Sequence, residues 1–67
     1  MSIVTTFAEK VKSFRKLKGI SQETLADMAG LDRTYISGIE KGKRNVSIET
    51  VEKLSQALHV PVRDFFE

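Results

Sequence analysis

The apolar residues of this chain recur at intervals of three and four, which is the period of an amphipathic α-helix, and no stretch alternates in the manner of a β-strand. The pattern predicts a first helix that begins with Thr6 as its N-cap, has Glu9 reaching back to that cap, and ends near Lys18. Its inward face is predicted to consist of Phe7, Val11, Phe14 and Leu17.

The stretch from Ser21 to Lys41 predicts two further helices that meet at a tight turn. Ser21 is placed to cap the second helix, Gly30 to end it in the left-handed backbone conformation, and Asp32 to cap the third. The predicted inward residues are Leu25, Ala26, Met28 and Ala29 on the second helix and Ile36 and Ile39 on the third, with Leu31 in the corner. This spacing of a small residue, a turn glycine and buried aliphatic residues is that of a helix-turn-helix.

A fourth helix is predicted to begin after Ser47, and a short fifth helix to begin at Pro61, because proline suits the first helical position. The predicted inward residues of the fourth helix are Ile48, Val51, Leu54, Ala57 and Leu58. Val62, Phe65 and Phe66 form the apolar face of the fifth helix. The sequence therefore predicts an all-α protein, a compact five-helix bundle. Residues 1–67 form a single predicted domain, and residues 21–41 are its helix-turn-helix.

The composition excludes several kinds of site. The chain has no cysteine and one histidine, which leaves no disulfide and no metal site of an ordinary type. The acidic residues are scattered, no glycine-rich phosphate loop is present, and His59 is expected to interact with a helix dipole. We therefore expect no enzyme, no cofactor and no small-molecule ligand. Since no apolar run reaches the length of a signal peptide or a membrane span, a cytoplasmic protein without a membrane partner is expected.

The formal net charge is only +2, but the charges are distributed in blocks. Basic residues dominate residues 1–20 and 33–46, whereas residues 21–32 and 47–67 are net acidic. Folding can therefore gather the basic blocks on one face, as nucleic-acid binding requires. The alternative is a solvated surface of mixed charge, and the helix-turn-helix spacing is what favours the basic face.

The order GISQETLADMAGLDRTYISGIEKGKR resembles the Cro/C1-type helix-turn-helix family of phage and plasmid regulators. Within that family, LDRTYISGIE with the following RN is most similar to the controller proteins of restriction–modification systems. The resemblance implies a lambda-repressor-like DNA-binding domain. It also implies a transcriptional regulator, an activator or a repressor, that binds double-stranded DNA as a homodimer on a pseudo-palindromic operator, with RNA polymerase as a candidate further partner.

In such a motif the third helix of this chain would lie in the major groove. The residues expected to contact bases are the exposed ones of its first turns, namely Arg33, Thr34, Tyr35 and Ser37. Arg33 can donate two parallel hydrogen bonds to a guanine, or it can pair with Asp32 or Ser37 instead. Tyr35 can equally pack half-buried beside the core. Gly38 leaves no side chain where relatives often place one that contacts a base, which predicts a narrower set of base contacts.

Contacts with the DNA backbone are expected from Gln22, Lys43, Arg44 and Asn45. Gln22 offers a side-chain amide and, as the first residue of the second helix, a free backbone N–H. The controller resemblance implies that Arg44 and Asn45 also approach the bases or the minor groove. It further implies an ion pair between Arg15 and Glu40, because Glu40 ends a helix where the dipole disfavours a negative charge.

A dimer surface is expected at the C-terminal part of the domain, formed by the outer face of the fourth helix with Val60, Val62, Phe65 and Phe66. Two adjacent phenylalanines on a short helix cannot both point inward, and exposed aromatic surface is common at interfaces. The alternative is that both cover the edge of the core.

Two other functions fit the same sequence. One is a phage- or plasmid-type repressor, or the antitoxin of a toxin–antitoxin pair, which belongs to the same class of regulator. The other is a protein-interaction adaptor that keeps the fold without recognising a DNA sequence. The basic residues around Arg33 and Arg44 argue against the adaptor.

Overall fold

The computed structural model describes residues 2–67, which form four α-helices and one short 3-10 helix without any strand. The elements are α1 (Ile3–Lys18), α2 (Gln22–Ala29), α3 (Arg33–Glu40), α4 (Ile48–Leu58) and the 3-10 helix (Val62–Phe65). The all-α prediction is confirmed, but the prediction of five α-helices is wrong. The last element differs because its N–H groups bond to carbonyls three residues back, as Asp64 does to Pro61 at 2.9 Å.

Each α-helix begins with a side chain that accepts a hydrogen bond from the first turn. The predicted N-caps of α2, α3 and α4 are confirmed, and they are Ser21, Asp32 and Ser47. The predicted start of α1 is wrong. Ser2 caps this helix by accepting from the N–H of Thr5 at 3.1 Å, so α1 begins one turn earlier than a cap at Thr6 would allow.

Three of the four α-helices end in the left-handed backbone conformation. Gly30, at φ 68°, ends α2 as predicted, and its backbone N–H donates to carbonyls of the last turn. His59 ends α4 at φ 56° and is the one non-glycine residue between 2 and 67 with a positive φ. A β-carbon makes this conformation costly, so His59 bears a strain that glycine would avoid.

The core lies where the helix-turn-helix packs against α1, α4 and the 3-10 helix. Phe65 is fully buried and contacts two rings of α1, with ring centroids 5.3 Å from Phe7 and 5.6 Å from Phe14. The other buried apolar residues come from every helix and are Phe7, Ala8, Val11, Leu25, Ala26, Ala29, Ile36, Ile39, Val51, Leu54, Ala57 and Leu58. α2 and α3 therefore pack on the same hydrophobic core.

Three residues predicted to face inward are exposed instead. Leu17 is 81%, Met28 46% and Ile48 88% exposed. Leu17 lies beyond the last buried residue of α1, which is Val11, and Ile48 precedes the first buried residue of α4, which is Thr50. Met28 lies about 100° around α2 from the buried Ala29. The three- and four-residue spacing identifies the apolar side of a helix but not how far along the helix that side is covered.

Candidate nucleic-acid interface

The two sides of α3 are different in character. Ile36 and Ile39 are fully buried on the inner side, which fixes the rotation of the helix about its axis. The outer stripe consists of Thr34, Ser37, Gly38 and Lys41, which follow one another at helical spacings of three, one and three. Thr34 and Lys41 are exposed, whereas Ser37 and Gly38 are half-buried, so this stripe presents mainly small and polar groups.

Arg33 opens this helix and is exposed. Among residues 2–67 the ion pairs are Arg15–Glu40 and Arg63–Asp64, so Arg33 has no acidic partner. Asp32, the alternative partner considered from the sequence, uses its Oδ2 to accept from the N–H of Thr34 at 2.9 Å. The guanidinium of Arg33 therefore keeps its donors available for a ligand.

Tyr35 is half-buried and packs against the core, as the second interpretation of the sequence proposed. Its ring also lies beneath the guanidinium of Arg44, whose central carbon is 5.4 Å from the ring centroid. Such an arrangement attracts a cation to the face of an aromatic ring. Nothing in the sequence spacing alone indicated this contact.

The loop after α3 returns over the same face. Gly42 has a φ of 72°, and the N–H of Lys43 donates to the carbonyl of Gly38 at 3.1 Å. A β-carbon on Gly38 would lie 3.1 Å from Cγ and 3.2 Å from Nε of Arg44, so the arginine stem crosses directly over the glycine. Lys43 and Asn45, on either side of Arg44, are exposed.

The inner end of α3 is fixed by a buried cluster of charged and polar groups. Glu40 accepts from Nε of Arg15 at 2.6 Å and from Nη2 at 2.9 Å, and the two side chains are 3% and 12% exposed. Nη1 of Arg15 donates to the carbonyl of Ile20 at 2.9 Å. The hydrogen bond with Glu40 raises the pKa of Arg15 above its usual value, although burial opposes the shift. The predicted ion pair is thus present.

Gln22 belongs to the same cluster, which the sequence did not reveal. Its Nε2 donates to Oε1 of Glu40 at 3.1 Å, so one group expected to approach a phosphate is bonded within the protein. The backbone N–H of Gln22 lies in the first turn of α2, where helical N–H groups lack intrahelical acceptors. Each carboxylate oxygen can accept more than one hydrogen bond, so a buried Glu40 could have indicated a donor besides Arg15.

A family model for the helix-turn-helix matches residues 11–65. The chain belongs to this helix-turn-helix family. Control protein C.BamHI of Bacillus amyloliquefaciens is 48% identical over 62 residues, which are 91% of this chain and 76% of that protein. The predicted resemblance to controller proteins is confirmed.

Solved structures agree with this assignment. The restriction–modification controller protein C.AhdI from Aeromonas hydrophila has a TM-score of 0.91 and 44% identity, covering 94% of this chain and 96% of its own. The controller protein C.Esp1396I, solved as a tetramer in complex with its natural 35 base-pair operator, has a TM-score of 0.89 and 39% identity over 98% of this chain and 87% of its own. The family is one of DNA-binding transcription regulators, which are generally not enzymes.

In this helix-turn-helix domain, two of the four predicted dimer residues are exposed. Val62 and Phe66 are 44% and 40% exposed, and Val60 is partly buried. The prediction of Phe65 as an interface residue is wrong, because its side chain is fully buried in the core of its own chain. Phe66 stacks on Phe7 with a centroid distance of 5.6 Å and turns its other side outward.

The exposed apolar surface of this family member extends further than the sequence suggested. An open hollow of about 220 Å³ lies between the start of α1 and the start of α4. Its apolar lining includes Ile3, Val4, Phe7, Val46, Ile48, Val51 and Phe66. None of the helices between residues 2 and 67 has the length and apolar character to cross a membrane, and no cluster there could hold a metal ion.

Proposed function

We propose that this protein is a sequence-specific transcriptional regulator, the controller protein of a restriction–modification system, which acts as a homodimer on a pseudo-palindromic operator. The observation that carries the proposal is Arg33. It is exposed and lacks an acidic partner at the first position of α3, while the opposite side of that helix is buried. The similarity to C.BamHI and C.AhdI supports the controller role.

In this proposal α3 lies in the major groove, and its first turns contact the bases. Arg33 donates to O6 and N7 of a guanine, and Thr34 offers a hydroxyl and a methyl group to a neighbouring base pair. Ser37 lies one turn further along the same face, and Tyr35 flanks it. Arg33, Thr34 and Ser37 lie within about 100° of one another around the helix, so a single docking orientation serves all three.

Contacts with the DNA backbone lie on both sides of α3 in this proposal. Lys43 and Asn45 contact phosphates from the loop, and Gln22 contributes its backbone N–H at the positive end of α2. Phosphate contacts fix the position of α3 but carry no sequence information. Because Glu40 holds the side chain of Gln22, the amide of that residue acts mainly to join α2 to α3.

A second copy of the chain is required because one recognition helix contacts too few base pairs for a unique site. Each correct base pair contributes about 1–3 kcal/mol of discrimination, and two half-sites approximately double the total. We place the dimer surface on the exposed apolar residues Ile3, Ile48 and Phe66, which line one hollow, because large exposed apolar side chains in one region are typical of interfaces. RNA polymerase is a further proposed partner wherever operator binding activates a promoter, and the DNA partner implies action in the cytoplasm.

The test is selection of bound duplexes from a random DNA pool at physiological salt, performed with the wild type, with Arg33→Ala, and with Arg63→Ala as a control at another exposed arginine. The wild type and the control should enrich the same two-fold symmetric site, and Arg33→Ala should lose a guanine preference within each half-site. Failure to enrich any motif, with binding that only fades as salt rises, would contradict the regulator and favour the adaptor.

A further inference from the structure

Gly38 is the one glycine of this chain whose backbone does not require glycine. Gly19, Gly30 and Gly42 adopt positive φ at the ends of helices or in a loop, whereas Gly38 has ordinary helical geometry inside α3. A glycine within a helix destabilises it relative to alanine. The reason for a glycine here must therefore be the space that its missing side chain leaves.

Arg44 occupies that space. Cγ and Nε of Arg44 would lie 3.1 and 3.2 Å from a β-carbon at position 38, closer than ordinary van der Waals contact allows. The backbone hydrogen bond from Lys43 to Gly38 brings the loop to this point. An alanine would require the arginine stem to shift by a few tenths of an ångström.

Tyr35 provides the second support for the same side chain. It precedes Gly38 by three residues, so the two are neighbours on the helix surface. The tyrosine ring is anchored by its packing against the core, and the guanidinium of Arg44 lies 5.4 Å from its centroid. Glycine thus admits the aliphatic stem while tyrosine attracts the charged end.

We infer that Gly38 and Tyr35 are positioning residues that lay Arg44 across the DNA-facing side of α3, so that an arginine from the loop supplies the base-contacting side chain that position 38 lacks. The inference rests on the proposed function. It adds, to the base contact that the controller resemblance implies for Arg44, the two residues that hold its side chain in place. Arginine is suited to the role because its planar, forked guanidinium stacks on aromatic rings and keeps donors free at its edge. A side chain already in place also loses less conformational freedom on binding.

A double-mutant cycle between positions 38 and 44 tests the inference. Affinity for the duplex enriched from the random pool is measured at fixed salt for the wild type, Gly38→Ala, Arg44→Ala and the double variant. Gly38→Ala should bind about 2- to 10-fold more weakly, because the added β-carbon displaces the stem of Arg44 from its place across α3. In the Arg44→Ala background the same substitution should change affinity less than about 1.5-fold. Thermal unfolding should show Gly38→Ala at least as stable as the wild type.

Tyr35→Phe and Tyr35→Leu separate the ring from the hydroxyl. The coupling between positions 38 and 44 should survive in Tyr35→Phe, which keeps the aromatic face, and fall in Tyr35→Leu. An equal loss for Gly38→Ala in both Arg44 backgrounds, or no loss in either, would overturn the positioning inference while leaving the regulator intact. Absence of any enriched duplex for the wild type would overturn both.

Discussion

Glu40, the last residue of α3, is bound by two nitrogens of Arg15 in α1, at 2.6 and 2.9 Å. Arg15 reaches a third acceptor at the carbonyl of Ile20, and Gln22 at the start of α2 bonds to the same carboxylate. One carboxylate thus connects three helices. The buried stripe of α3 sets its rotation, and this cluster fixes its end, so the orientation of the proposed recognition helix depends on both.

Removing the carboxylate should therefore destabilise the protein. Glu40→Ala leaves a largely buried guanidinium without its partner, and we expect a loss of about 3–5 kcal/mol in the free energy of unfolding. Because a loss of that size approaches the whole stability of so small a domain, Glu40→Gln is the milder second variant, with an intermediate loss. Urea unfolding followed by circular dichroism gives the measurement.

The matched control is the exposed pair of Arg63 and Asp64, 3.7 Å apart with side chains 78% and 40% exposed. Arg63→Ala should leave the unfolding midpoint nearly unchanged, since exposed pairs contribute little. Equal losses for Glu40→Ala and Arg63→Ala would contradict the role assigned to the buried cluster.

The pKa of Arg15 is raised in the folded state, which fixes the sign of its effect on stability. The contribution of Arg15 to the free energy of unfolding is complete below the ordinary pKa of arginine and is lost as the pH rises through the raised pKa of the folded state.

The helix-turn-helix was predictable because its signals are local. Ser21, Gly30 and Asp32 each act on a neighbouring backbone group, and Ile36 and Ile39 leave little choice for the buried side of α3. Which residues of a longer helix are buried depends instead on the elements that pack against it. Leu17 and Ile48 fit the spacing of a buried stripe, yet both are exposed because they lie at helix ends, outside the buried stretch of α1 and of α4.

The sequence predicted which residues are candidates for DNA binding, but it did not predict the contacts that these residues make within the protein. The sequence placed Arg33 and Thr34 on α3 and Arg44 in the loop, and all three are exposed. It did not predict that Gln22 would bond to Glu40 or that Arg44 would cross Gly38. The first contact joins two helices, and the second joins α3 to the loop that follows it. Such contacts follow from the packing angle between helices and from the path of the loop.

The adjacent phenylalanines should differ sharply in their effect on stability. Phe65 is fully buried between two rings of α1, so Phe65→Ala should cost about 3–5 kcal/mol of unfolding free energy. Phe66 is 40% exposed and stacks on one ring, so Phe66→Ala should cost about 1 kcal/mol. Phe65→Leu gives a measurable intermediate if the alanine variant is unfolded. Comparable losses at the two positions would mean that the 3-10 helix packs differently from the structure described.

The proposed dimer surface can be tested by substituting one isoleucine and one leucine that are similarly exposed. Ile48 is 88% exposed beside the apolar hollow, whereas Leu17 is 81% exposed in the last turn of α1 and does not line it. Ile48→Ser should weaken self-association by at least about 10-fold, because an isoleucine buried at the interface loses its apolar contribution. Leu17→Ser should leave self-association unchanged.

Sedimentation equilibrium across a range of protein concentrations measures both variants, and thermal unfolding at high dilution confirms that each monomer is folded. Binding to the selected duplex adds a second observation. Ile48→Ser should bind a single half-site with wild-type affinity but lose the gain that the second half-site provides, since its base contacts are intact. If Leu17→Ser were the variant that dissociates, the interface would lie at the opposite end of α1 from the hollow.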